Sequence, residues 1–222
     1  MNKEVVIVSG GKIEDAFVQS VLKNGADYFI IGVDKGIEAL YRFQIEPDYI
    51  VGDFDSVDAT VADYYRNETH IPIREFNPVK DASDTEIAIR LAITLGGHKI
   101  TILGATGGRL DHFWGNVQSL MIPYEAGVEA VIVDSQNRIR LLHEGETVLK
   151  REEMFGKYFS LFPLGREVNN LTIAGAKYTL NGYTMTPTIT RCVSNQIAKD
   201  SDEVHICFTS GVTILMETKD KE

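Results

Sequence analysis

Lys99-Ile100-Thr101-Ile102-Leu103 is a short, largely apolar run, and Gly107-Gly108-Arg109-Leu110-Asp111-His112 follows it almost at once. A β-branched run of this length, closed by glycines, predicts a strand buried on both faces. The same arrangement recurs upstream. Val5-Val6-Ile7-Val8 ends at Ser9-Gly10-Gly11, and Tyr28-Phe29-Ile30-Ile31 ends at Asp34-Lys35-Gly36. Asp48-Tyr49-Ile50-Val51 ends at Gly52-Asp53-Phe54-Asp55-Ser56. Ile71-Pro72-Ile73 is weaker, because a proline belongs at a sheet edge or a strand start. Residues 128–133 close the series. Helical segments are expected over 15–23 and 37–43. Ile87, Leu91 and Leu95 recur at four-residue spacing up to Gly96-Gly97. Phe113, Val117, Leu120 and Met121 give a further apolar face, with Pro123 near its end. Alternation of buried strands and helices predicts a doubly wound, mostly parallel sheet with helices on both faces.

From Gln136 the rhythm changes. Short stretches rich in Val, Ile, Thr, Tyr and Phe fall at 138–142, 158–162, 171–173, 204–208 and 212–216. Turn residues separate them at Leu164-Gly165, Asn169-Asn170, Asn181-Gly182 and Ser210-Gly211. This half reads as a small antiparallel β-sandwich. The expected domains are therefore 1–136, α/β, and 137–222, β-sandwich.

The chain has 222 residues, 44% hydrophobic and 24% charged, as in soluble globular proteins. No apolar run approaches the roughly 20 residues of a membrane span. A formal net charge of −10 argues against a nucleic-acid partner. Met1-Asn2-Lys3-Glu4 leads straight into a strand, so the expectation is no signal peptide and a cytoplasmic location. Cys192 and Cys207 are the two cysteines, expected as free thiols, and no Cys/His cluster has zinc spacing.

In open α/β sheets ligands bind beyond the carboxyl ends of the strands. Three acidic segments fall there: Gly52 to Ser56, Lys80-Asp81-Ala82-Ser83-Asp84-Thr85-Glu86, and Gly107 to His112. Each has a structural explanation. Asp53, Asp55 and Ser56 suit a capped surface turn. Ser83 and Glu86 fit a capping box. Asp111 suits an N-cap, His112 reads as structural and Trp114 as core. Capping does not explain Lys80-Asp81, nor the recurrence of acids after neighbouring strands. Brought to one sheet edge, these carboxylates suit a hard cation such as Mg²⁺, while Arg109 and glycine N–H groups suit phosphate. No Gly-x-Gly-x-x-Gly and no P-loop motif is present, so phosphate-transfer chemistry would be built differently here.

Taken as a set, Gly-Asp-Phe-Asp-Ser, Lys-Asp-x-Ser-Asp-Thr-Glu and Gly-Gly-Arg-Leu-Asp-His resemble the bacterial thiamin pyrophosphokinase family. The resemblance spans nearly the whole chain, less specifically in the second half, where Ser194-Asn195-Gln196 carries it. It implies transfer of the β,γ-diphosphate of ATP to the hydroxyl of thiamin, with release of AMP. By motif, Asp53, Asp55 and Asp84 would hold Mg²⁺ and the phosphate site. Arg109 and Asp111 would complete the ATP pocket, and Lys80 and Asp81 would flank the phosphates. Ser194 and Asn195 would meet thiamin, in a homodimer whose active sites are shared between subunits. One departure is Asp34-Lys35-Gly36, where the family often has Asp-Gly-Gly. Alternatives left open are a pyrophosphokinase for another heterocyclic alcohol, such as a hydroxymethyl pterin, and a nucleotide or thiamin sensor without turnover.

Overall fold

The computed structural model describes residues 3–23, 27–75 and 82–221, so Lys80 and Asp81 lie outside the described residues. The chain divides into two compact units, Met1–Ser135 and Gln136–Glu222.

In the first unit the strands are β1 (Lys3–Val8), β2 (Phe29–Val33), β3 (Tyr49–Gly52), β4 (Ile73–Glu75), β5 (Gly97–Leu103) and β6 (Glu129–Val133). They lie in the order β4-β3-β2-β1-β5-β6, every neighbouring pair parallel. Pro72 immediately precedes β4, which is the edge strand, as its missing N–H demands. The helices are α1 (Asp15–Leu22), α2 (Gly36–Phe43), α3 (Ala59–Asn67), α4 (Asp84–Thr94), α5 (Leu110–Ser119) and α6 (Met121–Glu125). From β1 to β4 the chain steps one way across the sheet, then returns past β1 to β5. Right-handed crossovers therefore put α1, α2 and α3 on one face and α4, α5 and α6 on the other. The packing agrees: α2 touches α3, whereas α4 touches α5 and α6. Val5, Val6, Ile7, Val8, Ile31, Ile50, Ile100 and Ile102 fill the centre.

Several local expectations are corrected. The fully buried face of α4 is Thr85, Ala88, Ile89 and Ala92, while Ile87, Leu91 and Leu95 are half-buried. Small residues let the helix lie close on the sheet, and the larger ones flank that contact. Trp114 is 46% exposed, not core. The segment carrying Phe113 to Met121 breaks at Leu120 into α5 and α6, with Pro123 in the first turn of α6, where its missing N–H is harmless. Helix α3 was not foreseen. Asp58 caps it, its side chain accepting from the Thr60 N–H at 2.9 Å.

The second unit contains β7 (Asn137–Leu142), β8 (Gly145–Lys150), β9 (Tyr158–Pro163), β10 (Val168–Ala174), β11 (Leu180–Met185), β12 (Glu203–Phe208) and β13 (Thr213–Thr218). Antiparallel pairing gives β7-β13-β9 and β11-β10-β12-β8. Residues of both sets, including Leu142, Phe159, Leu161, Leu171, Ile206 and Leu215, share one buried cluster. Asn169-Asn170 and Asn181-Gly182 are not turns. They lie inside β10 and β11, where Asn170 (φ 56°) and Gly182 (φ 61°) take left-handed angles and the pairing register shifts. These are bulges. Strand β13 is no apolar face waiting for a partner subunit. It is paired on both sides, and Thr213, Ile214 and Leu215 are fully buried.

Candidate functional site

Strand order reverses direction between β1 and β5, and the turns after these strands cross there. Ser9 N–H donates to Leu103 O at 2.8 Å and Gly11 N–H to Gly104 O at 2.8 Å. A Cβ at Gly11 would collide with the Gly104 carbonyl, and one at Gly104 with the Ser9 carbonyl. Only glycines allow backbones this close. The buried Ser9 hydroxyl shares a 3.0 Å hydrogen bond with Thr85 of α4. Buried Asn116 of α5 donates to Ala105 O at 3.0 Å. These two bonds tie the turns to the helices on the α4 side of the sheet.

The loop after β3 is set by Phe54. Its φ of 61° is unusual for a bulky residue, and its side chain is 7% exposed among Ile37, Ile50, Val61, Ala62 and Tyr65. Burial of that ring offsets the backbone cost, and such cost concentrates at functional sites. Asp53 and Asp55, either side of it, line the cleft, and Asp55 N–H donates to Asp53 Oδ1 at 3.1 Å.

Helix α4 begins at Asp84, capped by Ser83, whose hydroxyl accepts from Glu86 N–H at 3.2 Å. The box is half formed: the Glu86 carboxylate turns to Arg90 Nε at 3.0 Å, one helical turn on. After β5, Arg109 occupies the N-cap position of α5 and Asp111 lies in its first turn, so Asp111 is not the N-cap expected. Arg109 grips Asp111 with two hydrogen bonds of 3.2 and 2.6 Å. That grip, aided by the His112 N–H, lowers the exposed Asp111 carboxyl to about 2.

Asp53, Asp55, Asp84, Arg109 and Asp111 all line one open cleft of about 1110 Å³ at the carboxyl edge of the sheet. The described parts of the three segments converge there. Among the described residues, no three His, Cys, Asp or Glu side chains stand close enough to form a ready-made metal cluster. In the second unit Ser194 is exposed with φ 56°. Its N–H donates to the Ser160 hydroxyl at 2.9 Å. Asn195 is buried. Its amide donates to Tyr178 O at 2.7 Å and accepts from Tyr178 N–H at 3.0 Å and Gln196 N–H at 2.9 Å. The Asn195 side chain thus fixes the Ser194 loop to the Tyr178 segment of the same unit.

Residues 20–132 match the model of the thiamin pyrophosphokinase catalytic domain, and residues 146–213 that of the thiamin pyrophosphokinase vitamin B1 binding domain. The chain belongs to the thiamin pyrophosphokinase family. It is 33% identical to thiamine pyrophosphokinase of Bacillus subtilis over 191 residues, covering 86% of this chain and 87% of that one. The solved structure of the Bacillus subtilis thiamine pyrophosphokinase superposes with a TM-score of 0.85 at 30% identity, covering 99% of this chain and 100% of that one. The thiamin pyrophosphokinase of Geobacillus thermodenitrificans gives 0.84 at 29% identity, with 98% of each chain covered. The structure adds residues to the cleft that motif reading passed over, among them Lys12, Thr85 and Asn116. Asn116 is a polar residue on the buried side of an amphipathic helix, the one clue in the sequence to its role.

Proposed function

We propose that this chain transfers the β,γ-diphosphate of ATP to the hydroxyl of thiamin, giving thiamin diphosphate and AMP. The observation that carries the reading is the meeting of Asp53, Asp55, Asp84, Arg109 and Asp111 in one cleft at the strand switch point, in a chain of this family. Such transfers depend on positioning and charge neutralisation more than on covalent help from the protein. The hydroxyl oxygen of thiamin forms a bond to the β-phosphorus of ATP, and its proton passes to a cleft carboxylate or to water. The bond from that phosphorus to the oxygen bridging α and β breaks, and AMP departs.

The donor set fits Mg²⁺. This ion favours carboxylate oxygens, and it commonly takes only one or two carboxylates besides substrate phosphates and water. Asp53, Asp55 and Asp84 would hold it, directly or through its waters, and it would supply charge neutralisation on the diphosphate. Arg109, oriented by Asp111, adds a forked donor for phosphate oxygens. Lys80 and Asp81, carried over by motif, would flank the phosphates. Asp84 would orient the attacking hydroxyl. On this reading 1–136 is the ATP and Mg²⁺ domain and 137–222 the thiamin domain. Ser194 meets thiamin, and Asn195 acts there by holding Ser194 in its left-handed turn. The work is cytoplasmic, on small dissolved substrates.

Incubation with ATP, Mg²⁺ and thiamin should yield AMP in step with thiamin diphosphate. Stoichiometric ADP would overturn diphosphate transfer.

The family resemblance extends to a homodimer with shared sites. Exposed apolar side chains of the second unit, Tyr178, Ile189 and Val193, support such an interface. Mixing an Asp84→Asn chain with a Ser194→Trp chain should restore activity, because a heterodimer concentrates both lesions in one of its two sites. No recovery despite demonstrated subunit exchange would mean that each chain builds its site alone.

A further inference from the structure

Among the described residues, four cationic side chains line the cleft: Lys12, Lys35, Arg90 and Arg109. Two are neutralised within the chain, Arg90 by Glu86 and Arg109 by Asp111. Among the described residues, Lys12 and Lys35 make no ion pair. Their stems are seated by the glycine turns. A side chain at Gly107 would collide with Lys12 Cβ, and one at Gly10 would lie 3.1 Å from Lys35 Cβ. Lys12 thus rests against the turn after β5, and Lys35 rests against the turn after β1. With strands in the order β3-β2-β1-β5, the stem of Lys12 is seated toward the β5 side of the Ser9-Gly10-Gly11 turn and that of Lys35 toward the β2 side, where the Asp53–Asp55 loop also lies.

Helix structure does not account for Lys35. It occupies the N-cap position of α2 and makes no side-chain capping bond. A cation there opposes the positive end of the helix dipole, which favours anions. The arrangement becomes favourable once an anion lies between the lysine and the helix end.

We propose that Lys12 and Lys35 are positioning residues that clasp the polyphosphate of the nucleotide from both sides of the switch-point turn. This rests on the diphosphate-transfer reading and assigns two residues that the acidic motifs do not include. Lys35 lies nearer the Asp53–Asp55 loop, which would hold the metal-bound end of the polyphosphate. Lys12 lies nearer the Arg109 turn.

The test is calorimetric titration of the full chain with inorganic tripolyphosphate in the presence of Mg²⁺, using Lys12→Gln, Lys35→Gln and the double variant. Each single change should weaken binding about three- to tenfold, where tenfold corresponds to about 1.4 kcal/mol. The double variant should lose about the product of the two. Lys→Arg at either position should recover most of the affinity, and Lys99→Gln, remote from the cleft, should change nothing. In turnover, KM for ATP should rise while KM for thiamin stays fixed. Lys35→Gln should melt at or above the wild-type temperature, because the opposed dipole is relieved. A double variant that binds tripolyphosphate as tightly as wild type overturns the proposal, as does equal loss accompanied by a lowered melting point. Lysine-dependent tripolyphosphate binding in a protein that forms no AMP would instead sink the diphosphate-transfer reading and leave the clasp standing.

Discussion

Residues 1–135 carry 21 acidic and 11 basic side chains, whereas residues 136–222 carry 11 of each, so the whole net charge of −10 resides in the first unit. Placement differs as much as number. In the first unit Asp53, Asp55, Asp84 and Asp111 sit in loops and first turns at the sheet edge, all at least partly exposed. In the second unit Glu217 lies within β13 and is fully buried. It accepts from Arg138 Nε at 2.8 Å and from Phe155 N–H at 3.3 Å. A carboxylate meant for a ligand keeps access to solvent. One inside a fold must have its lone pairs filled by the chain. The contrast separates acids left open to a ligand from acids whose lone pairs the fold itself fills.

Glu217→Ala tests the second class and should have the largest effect. Removing Glu217 takes the carboxylate from Arg138 and Arg140 and leaves the Phe155 N–H without its acceptor, while Arg138 keeps its bond to Glu153 O. The loss should be about 3 kcal/mol by urea unfolding, at the low end of the usual range because Arg138 keeps some solvent access. Asp53→Asn tests the first class. Turnover should fall about a hundredfold or more, equivalent to about 2.7 kcal/mol in the barrier, while stability moves by less than about 0.5 kcal/mol. If Asp53→Asn unfolded as easily as Glu217→Ala, the division between the two units would collapse.

The smallest effect concerns Asp111. Its carboxyl, followed by NMR, should titrate near 2, and Arg109→Gln should return it toward the ordinary value of 3.8. The sign is that of a depressed acid: its contribution to stability is present above 3.8 and fades as pH falls through about 2. Both side chains are largely exposed, so the contribution is slight. An Asp111 titration unmoved by Arg109→Gln would show that the pair does not persist in solution.

Much of the first unit was legible because a strand buried on both faces needs a continuous apolar run, and each run stops where the chain turns. The loops beyond those runs then contained the acids by necessity of sheet geometry. Strands β8 and β11 were less visible. Gly145 to Lys150 and Leu180 to Met185 mix polar, glycine and apolar residues, as strands exposed on one face do. Helix α3 has a clear Asp58 cap but a mostly polar surface, so its apolar period is faint.

By itself the sequence determined the length of the buried strands and the identity of the three acidic segments. Asn170 and Gly182 are residue types that tolerate positive φ, which is why they read as turns. Whether such a residue makes a turn or a bulge depends on which strand lies opposite, and only tertiary pairing decides that. The same holds for Asn195, whose amide is occupied by Tyr178, 17 positions earlier. It holds also for Lys12 and Lys35, 23 positions apart in sequence, which the pairing of β1 with β5 and β2 brings to one cleft. Local propensity acts over a few bonds. Partners in a sheet are chosen by burial across the whole fold.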